Sequence, residues 1–87
     1  MPEFQYDPQK SESNLRKHGI DFEQAQLLWD DPKLVTLKAR SEDEARSLII
    51  ARLNDQHWSA VVTDRDGEFR IISVRRSRIA EVELYES

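Results

Sequence analysis

An α+β domain, with helices packed on an antiparallel sheet of four to five strands, is the fold class this sequence predicts. Three observations predict it. Two short helix-compatible stretches flank a glycine corner at Gly19 near the N-terminus. Four strand-like runs follow, the last three separated by the turn formers Asn54-Asp55-Gln56 and Asp64-Arg65-Asp66-Gly67. A last helix-compatible stretch begins after Ser77. The order strand, two helices, four strands, helix places two N-terminal helices and one C-terminal helix on a single sheet.

Taken in order, Phe4 and Tyr6 alternate with Glu3 and Gln5 as a short strand, which Asp7-Pro8 ends by supplying an N-cap and a first helical residue. From Pro8 to His18 the one strong apolar residue is Leu15, flanked by Ser11, Asn14 and His18 while Lys10 and Lys17 project nearly opposite. This helix is therefore expected to be held by its ends and by whatever Leu15 touches, or else to line a working surface. Gly19 can take the left-handed conformation that closes a helix. Asp21 and Gln24 then have the spacing of a capping box, with Ile20 and Ala25 as a hydrophobic staple. The second helix should run from Phe22 to about Trp29, with Phe22, Ala25, Leu28 and Trp29 along one stripe, and stop at Asp30-Asp31-Pro32.

Leu34 to Lys38 reads as a strand, Ser41 to Glu44 as a charged turn, and Ala45 to Leu53 as a mid-sheet strand containing Leu48-Ile49-Ile50. Trp58, Ala60 and Val62 then alternate with Ser59, Val61 and Thr63. Gly67 suits a tight hairpin into the strand Phe69 to Val74. Strict alternation there would put Arg70, Ile72 and Val74 on one face and Phe69, Ile71 and Ser73 on the other. Ser77 is positioned to cap a final helix whose apolar stripe is Ile79, Val82 and Tyr85.

The 87 residues make one domain, 1-87, with a single modest core. Hydrophobic residues at 38% and charged residues at 34% suit a soluble globular chain, and no run approaches the roughly 20 apolar residues of a membrane span. Without cysteine there are neither disulfides nor thiolate metal sites. Met-Pro-Glu-Phe lacks the features of a secretory leader, so a cytoplasmic location and no membrane partner are expected. Thirteen Lys and Arg against 17 Asp and Glu give a net charge of -4, which argues against a protein that coats nucleic acid through its overall charge.

Chemistry is concentrated in two basic clusters. Arg70, Arg75, Arg76 and Arg78 fall within nine residues, with Arg65 in the preceding turn. Guanidinium groups grip phosphate in a forked geometry and stay charged near neutrality, so a cluster at a strand end suits a phosphodiester. The competing reading is a solvated strand end paired with Asp64, Asp66 and Glu81. Lys17 and His18 form the second cluster, in the last turn of the first helix. His18 could serve as a general acid or base, or could simply complement the negative end of the helix dipole. Lys17 could steady an anion or face solvent. His57, at a hairpin mouth, is expected to be exposed, Glu44 and Arg46 to pair on one strand face, and Trp29 and Trp58 to be core residues.

A Gly-rich phosphate loop, a His-x-x-x-His metal spacing and a nucleophile elbow are all missing from the sequence, so no cofactor is expected. The groups present suit metal-free cleavage of RNA, in which the 2′-hydroxyl attacks the adjacent phosphate and the protein supplies a base, an acid and cations.

Together these segments resemble the BrnT family of type II toxin-antitoxin toxins. Phe4-x-Tyr6-Asp7-x-x-Lys10 resembles the family's opening and Asn14-x-x-Lys17-His18-Gly19-Ile20-x-Phe22-x-x-Ala25 its most recognisable block. Asp31-Pro32, Glu44-x-Arg46 and Val61-Val62-Thr63-x-Arg65 continue in register, and Arg70-Ile71-Ile72-Ser73-Val74-Arg75-Arg76-Ser77 with Glu81 and Tyr85 resembles its ending. The resemblance implies a RelE-like fold and an RNA-cleaving toxin that inhibits translation. It implies neutralisation by a BrnA-type ribbon-helix-helix antitoxin, with operator DNA contacted only through that antitoxin. It makes Lys17, His18, Arg65, Arg75 and Arg76 the expected catalytic residues around the RNA. The chain departs from the family pattern in two places. Ser41 and Glu42 stand where many relatives carry a histidine, and Ala51 where they carry a glycine. The alternative is a non-enzymatic module, either an inactivated toxin that binds an antitoxin without cutting RNA or a plain protein-interaction domain.

Overall fold

The protein is described by a computed structural model over residues 3–39, 46–65 and 67–87, with the side chains of Ala39 and Arg65 outside that description. The expected turn Ser41–Glu44, the Glu44–Arg46 pair and Asp66 therefore lie outside the described residues. The chain forms β1 (Glu3–Gln5), α1 (Pro8–His18), α2 (Phe22–Ala25), a 3₁₀ turn (Gln26–Asp30), β2 (Val35–Ala39), β3 (Arg46–Leu53), β4 (Gln56–Arg65), β5 (Glu68–Arg76) and α3 (Ile79–Glu86).

The five strands make one sheet in the order β1-β5-β4-β3-β2. It is mixed, which corrects the antiparallel expectation at one edge: β2 through β5 pair antiparallel, whereas β1 lies parallel to β5. The chain leaves β1 through α1 and α2 and crosses the sheet before returning, so the first strand meets the last in the same direction. Turn chemistry fixes the hairpins. Asn54 and Asp55 both take positive φ, 52° and 64°, as a two-residue turn between right-twisted strands demands. Gly67, at φ 86°, serves the next one.

One face of the sheet carries the core. Ile49, Ala51, Trp58, Ala60, Val62, Ile71 and Val74 pack against Ile20, Phe22, Ala25 and Leu28. Phe4 stacks edge-on with Trp29 at 4.7 Å and Tyr6 with Phe22 at 5.8 Å, closing this layer at the β1 end. The capping box at Asp21 and Gln24 is present as expected. The second helix is shorter than expected, however: after Ala25 the chain tightens into the 3₁₀ turn, which still buries Leu28.

A β-bulge rearranges the faces of β5. Val61 pairs with Ser73 while Val62 pairs with Ile71, so Ile72 is the extra residue. Phe69, Ile71, Val74 and Arg76 consequently face the helices α1 and α2, and Arg70, Ser73 and Arg75 face the other way. Strict alternation had grouped these side chains wrongly, because period-two reasoning fails where a residue is inserted.

α3 lies on that second face, over Ser59 and Arg75. Its N-cap is Arg78 rather than Ser77, and the Glu81 carboxylate accepts the Arg78 backbone N–H. Ile79 is 80% exposed, and Tyr85 is the buried member of the expected stripe. Polar contacts hold this helix where apolar ones are few.

Candidate functional site

Leu15 does not anchor α1; it is 42% exposed. Two polar side chains do so instead. Ser11 Oγ accepts the Phe22 N–H at 2.9 Å. Asn14 donates through Nδ2 to the carbonyls of Ile20 and Val74, at 2.8 and 2.9 Å, and its Oδ1 accepts the Val74 N–H at 3.1 Å. Beyond Gln5, where β1 ends, the outer edge of β5 would leave those backbone groups without a ladder partner. The Asn14 amide supplies one, as a neighbouring strand would.

This pinning sets Lys17 and His18 beside β5. The helix ends at Gly19, φ 80°, whose N–H bonds the Leu15 carbonyl at 2.9 Å. Arg16, Lys17 and His18 thus occupy the final turn, at the negative end of the dipole. Lys10, Ser13, Asn14, Lys17 and His18 line a hollow of about 210 Å³ with Ile72 and Ser73 of β5. The bulge that displaces Ile72 also turns Ser73 to the second face, so the hollow sits at the rim of that face.

The arginines divide. Arg75 reaches toward α3 and grips Glu81 with both guanidinium arms, Nη1 to Oε1 at 2.7 Å and Nη2 to Oε2 at 2.8 Å. The Glu81 carboxyl is held down to about 2, chiefly by the bond from Arg75 against the opposing effect of burial, with help from the Arg78 N–H and the Ser59 hydroxyl. Arg75 is correspondingly raised. Ser59 donates to Glu81 at 2.9 Å, and Ser77 completes the cluster by bonding Ser59 at 2.7 Å. Arg76 lies on the opposite face, its guanidinium carbon 5.5 Å from the centre of the Trp58 ring. Arg65 closes β4 opposite Glu68, and its side chain lies outside the described residues. Lys17 and His18 are thus brought together, while Arg75 and Arg76 are separated by the thickness of the sheet.

His57 is not simply exposed, as its place in a hairpin had suggested. It bonds Glu86 at 2.7 Å and stacks edge-on against Tyr85 at 5.2 Å. Tyr85 in turn donates to Asp31 Oδ2 at 2.6 Å. Asp31 also accepts the backbone N–H groups of Arg52 and Lys33. Burial would raise this carboxyl, but the three hydrogen bonds prevail and lower it, while burial and the Asp31 bond push Tyr85 up to about 12. A larger hollow, about 560 Å³, lies beside Asp31 and Arg52 and contains none of the residues expected from the sequence to act on RNA.

With the geometry in place, comparison with known families is decisive: residues 6–81 match the family model described as "Ribonuclease toxin, BrnT, of type II toxin-antitoxin system". The chain belongs to the BrnT family. Membership makes it a ribonuclease toxin of a type II system, with an antitoxin as partner. No curated protein matches the chain. Among the described residues, no helix is long and apolar enough to cross a membrane, and no group of three or more His, Cys, Asp or Glu side chains is placed to hold a metal ion.

The matched span includes both the α1 corner and the bulged half of β5, so the BrnT signature covers the rim hollow in full. Sequence reasoning missed Lys10 as a lining residue of this BrnT hollow. Helical spacing does place Lys10 beside Lys17, but it does not reveal that this side of α1 faces β5, which depends on the Asn14–Val74 contact.

Proposed function

We propose that this BrnT toxin is an endoribonuclease that cuts RNA by metal-independent transesterification, and that it does so at the rim between α1 and β5. The observation that supports this most is the hollow in which Lys10, Lys17 and His18 face β5 without a carboxylate among the lining residues, on a chain of net charge -4. In the proposed step a base removes the 2′-hydroxyl proton and the oxygen attacks the adjacent phosphorus. The bond from phosphorus to the 5′-oxygen breaks, and an acid returns a proton to that leaving oxygen. His18 is the proton-transfer group and Lys17 stabilises the charge gathering on the phosphoryl oxygens.

The arginines take graded roles in this reading. Arg65, whose backbone closes β4, is assigned a phosphate contact. Arg75 has N–H groups beyond those bound to Glu81 and serves at the inner end of the RNA path, and Arg76 contacts RNA that passes around the end of the sheet. We further propose a RelE-like fold, a cytoplasmic location, and a BrnA-type ribbon-helix-helix antitoxin through which alone operator DNA is contacted.

The test is direct. Purified protein is incubated with RNA in excess chelator, and cleavage termini are identified. Cleavage that leaves 2′,3′-cyclic phosphate ends, and that His18→Gln and Lys17→Ala abolish, is the expected result. RNA that stays intact, while the protein still captures its antitoxin, would establish an inactive binding module in its place.

A further inference from the structure

Away from α3, the second face of the sheet carries a row of three residues from three adjacent strands. Thr63 of β4 pairs with Arg46 of β3 on one side and Arg70 of β5 on the other. Both arginines are exposed, and no described carboxylate makes an ion pair with either. Two strand spacings set their Cα atoms roughly 10 Å apart, so both guanidinium groups can reach a single anion between them. Thr63, only 1% exposed, has a hydroxyl with no hydrogen-bond partner. Buried hydroxyls are rarely left this way, because the missing bond costs free energy that valine, of the same shape, would not.

We propose that Arg46, Thr63 and Arg70 form a seat for one phosphate of a nucleic-acid backbone. The two guanidinium groups close on it from either side, and the Thr63 hydroxyl donates to the oxygen that points down at the sheet. The row lies on the same face as Ser73, and therefore continues the RNA path inward from the rim hollow. The assignment rests on the reading of this chain as an RNA-cutting toxin, and it adds the place where the backbone is held during the reaction. Long arginine side chains can swing to admit the anion, so the buried state of the hydroxyl in the free protein is compatible with its use.

Titration with inorganic phosphate, followed through the arginine Nε–H and Thr63 amide resonances, tests the seat separately from cleavage. Saturable shifts at Arg46, Thr63 and Arg70 are expected, weakened about fivefold in Thr63→Val, the loss of one hydrogen bond. The same variant should unfold at an equal or higher urea concentration than the parent while cleaving RNA more slowly. A hydroxyl with a structural role predicts the reverse, a less stable Thr63→Val with unaltered phosphate binding, and that result would overturn the proposal. So would undiminished cleavage by the Arg46→Ala/Arg70→Ala double variant with its circular dichroism intact. Phosphate that saturates the seat on a protein that cuts no RNA would uphold the seat and refute the nuclease reading alone.

Discussion

Two places where a strand of the sheet outruns its neighbour, at the outer edges of β5 and β3, are closed by different chemistry. At the β5 edge a neutral amide, Asn14, meets both the N–H and the C=O of Val74. At the β3 edge, past the end of β2, a carboxylate, Asp31, accepts the Arg52 N–H and draws in the Tyr85 hydroxyl of α3. The difference bears on function. A neutral plug satisfies the backbone without engaging charge, so the cations of α1 beside it remain available. A charged plug needs partners of its own, and the α3 side is accordingly knitted together by polar contacts, the Arg75–Glu81 ion pair and the His57–Glu86 hydrogen bond. A cation beside an amide is free to act, whereas a cation beside a carboxylate is architecture first.

The largest expected effect comes from the free side. His18→Gln should lower RNA cleavage by about 10² to 10⁴, the usual contribution of a positioned proton-transfer group. Its stability should fall by less than about 1 kcal/mol, the loss of a helix-dipole partner. Single-turnover cleavage and urea unfolding on the same samples check the pair of outcomes; equal losses in both would reduce His18 to a structural residue and erase the contrast.

Asn14→Ala attacks the neutral plug itself. It strands the Val74 N–H and C=O and the Ile20 carbonyl in a buried setting, and should cost about 3 kcal/mol. A drop in urea midpoint below a third of that would show that water replaces the amide and that the edge was never closed by it.

Glu81→Gln probes the ionic side. Arg75 keeps its burial but loses its forked partner, for a cost of about 2 kcal/mol. The Glu81 carboxyl, at about 2 in the fold against an ordinary 4.5, stabilises the protein above pH 4.5 and loses that contribution as pH falls toward 2. The parent should therefore lose stability across this acid window more steeply than Glu81→Gln, and parallel acid profiles would show that the pair contributes nothing.

These contrasts also mark what the sequence could and could not convey. Most caps and turns were legible because they depend on neighbours along the chain, the α3 cap at Arg78 rather than Ser77 being the exception. Asp7-Pro8, the Asp21–Gln24 box, Gly19 and Gly67 all stand as read. Position along the chain likewise placed Lys17 and His18 in a final helical turn. What the sequence hid is set by distant partners. Nothing local says that Asn14 will meet Val74, 60 residues away, whereas Leu15 stands out as the one strong apolar residue of α1. A bulge opposite Val61 and Val62 has no glycine to announce it, and it places Ser73 and Val74 on the faces that period-two counting exchanges. The parallel pairing of β1 with β5 depends on the route of the intervening chain, which a three-residue strand cannot reveal. The Arg75–Glu81 pair was foreseen as the competing reading of the basic cluster, and geometry favoured it for that arginine.

The smallest effect should come from Tyr85→Phe, which takes one donor away from Asp31 and leaves its two backbone N–H partners in place. Near neutral pH the loss should be about 1 kcal/mol. The alkaline range is more informative. Tyr85 is pushed up to about 12 from an ordinary 10.0, first by burial and then by its bond to Asp31, so the folded protein holds the phenolic proton more tightly than the unfolded chain does. A group raised in this way stabilises the fold fully below pH 10, and its contribution drains away as pH climbs toward 12. Phenylalanine has no proton to lose. The gap between parent and variant should therefore shrink as urea unfolding is repeated from about pH 9 to about pH 11.5, and a gap that stays constant would show that the phenol is not held by the Asp31 plug at all.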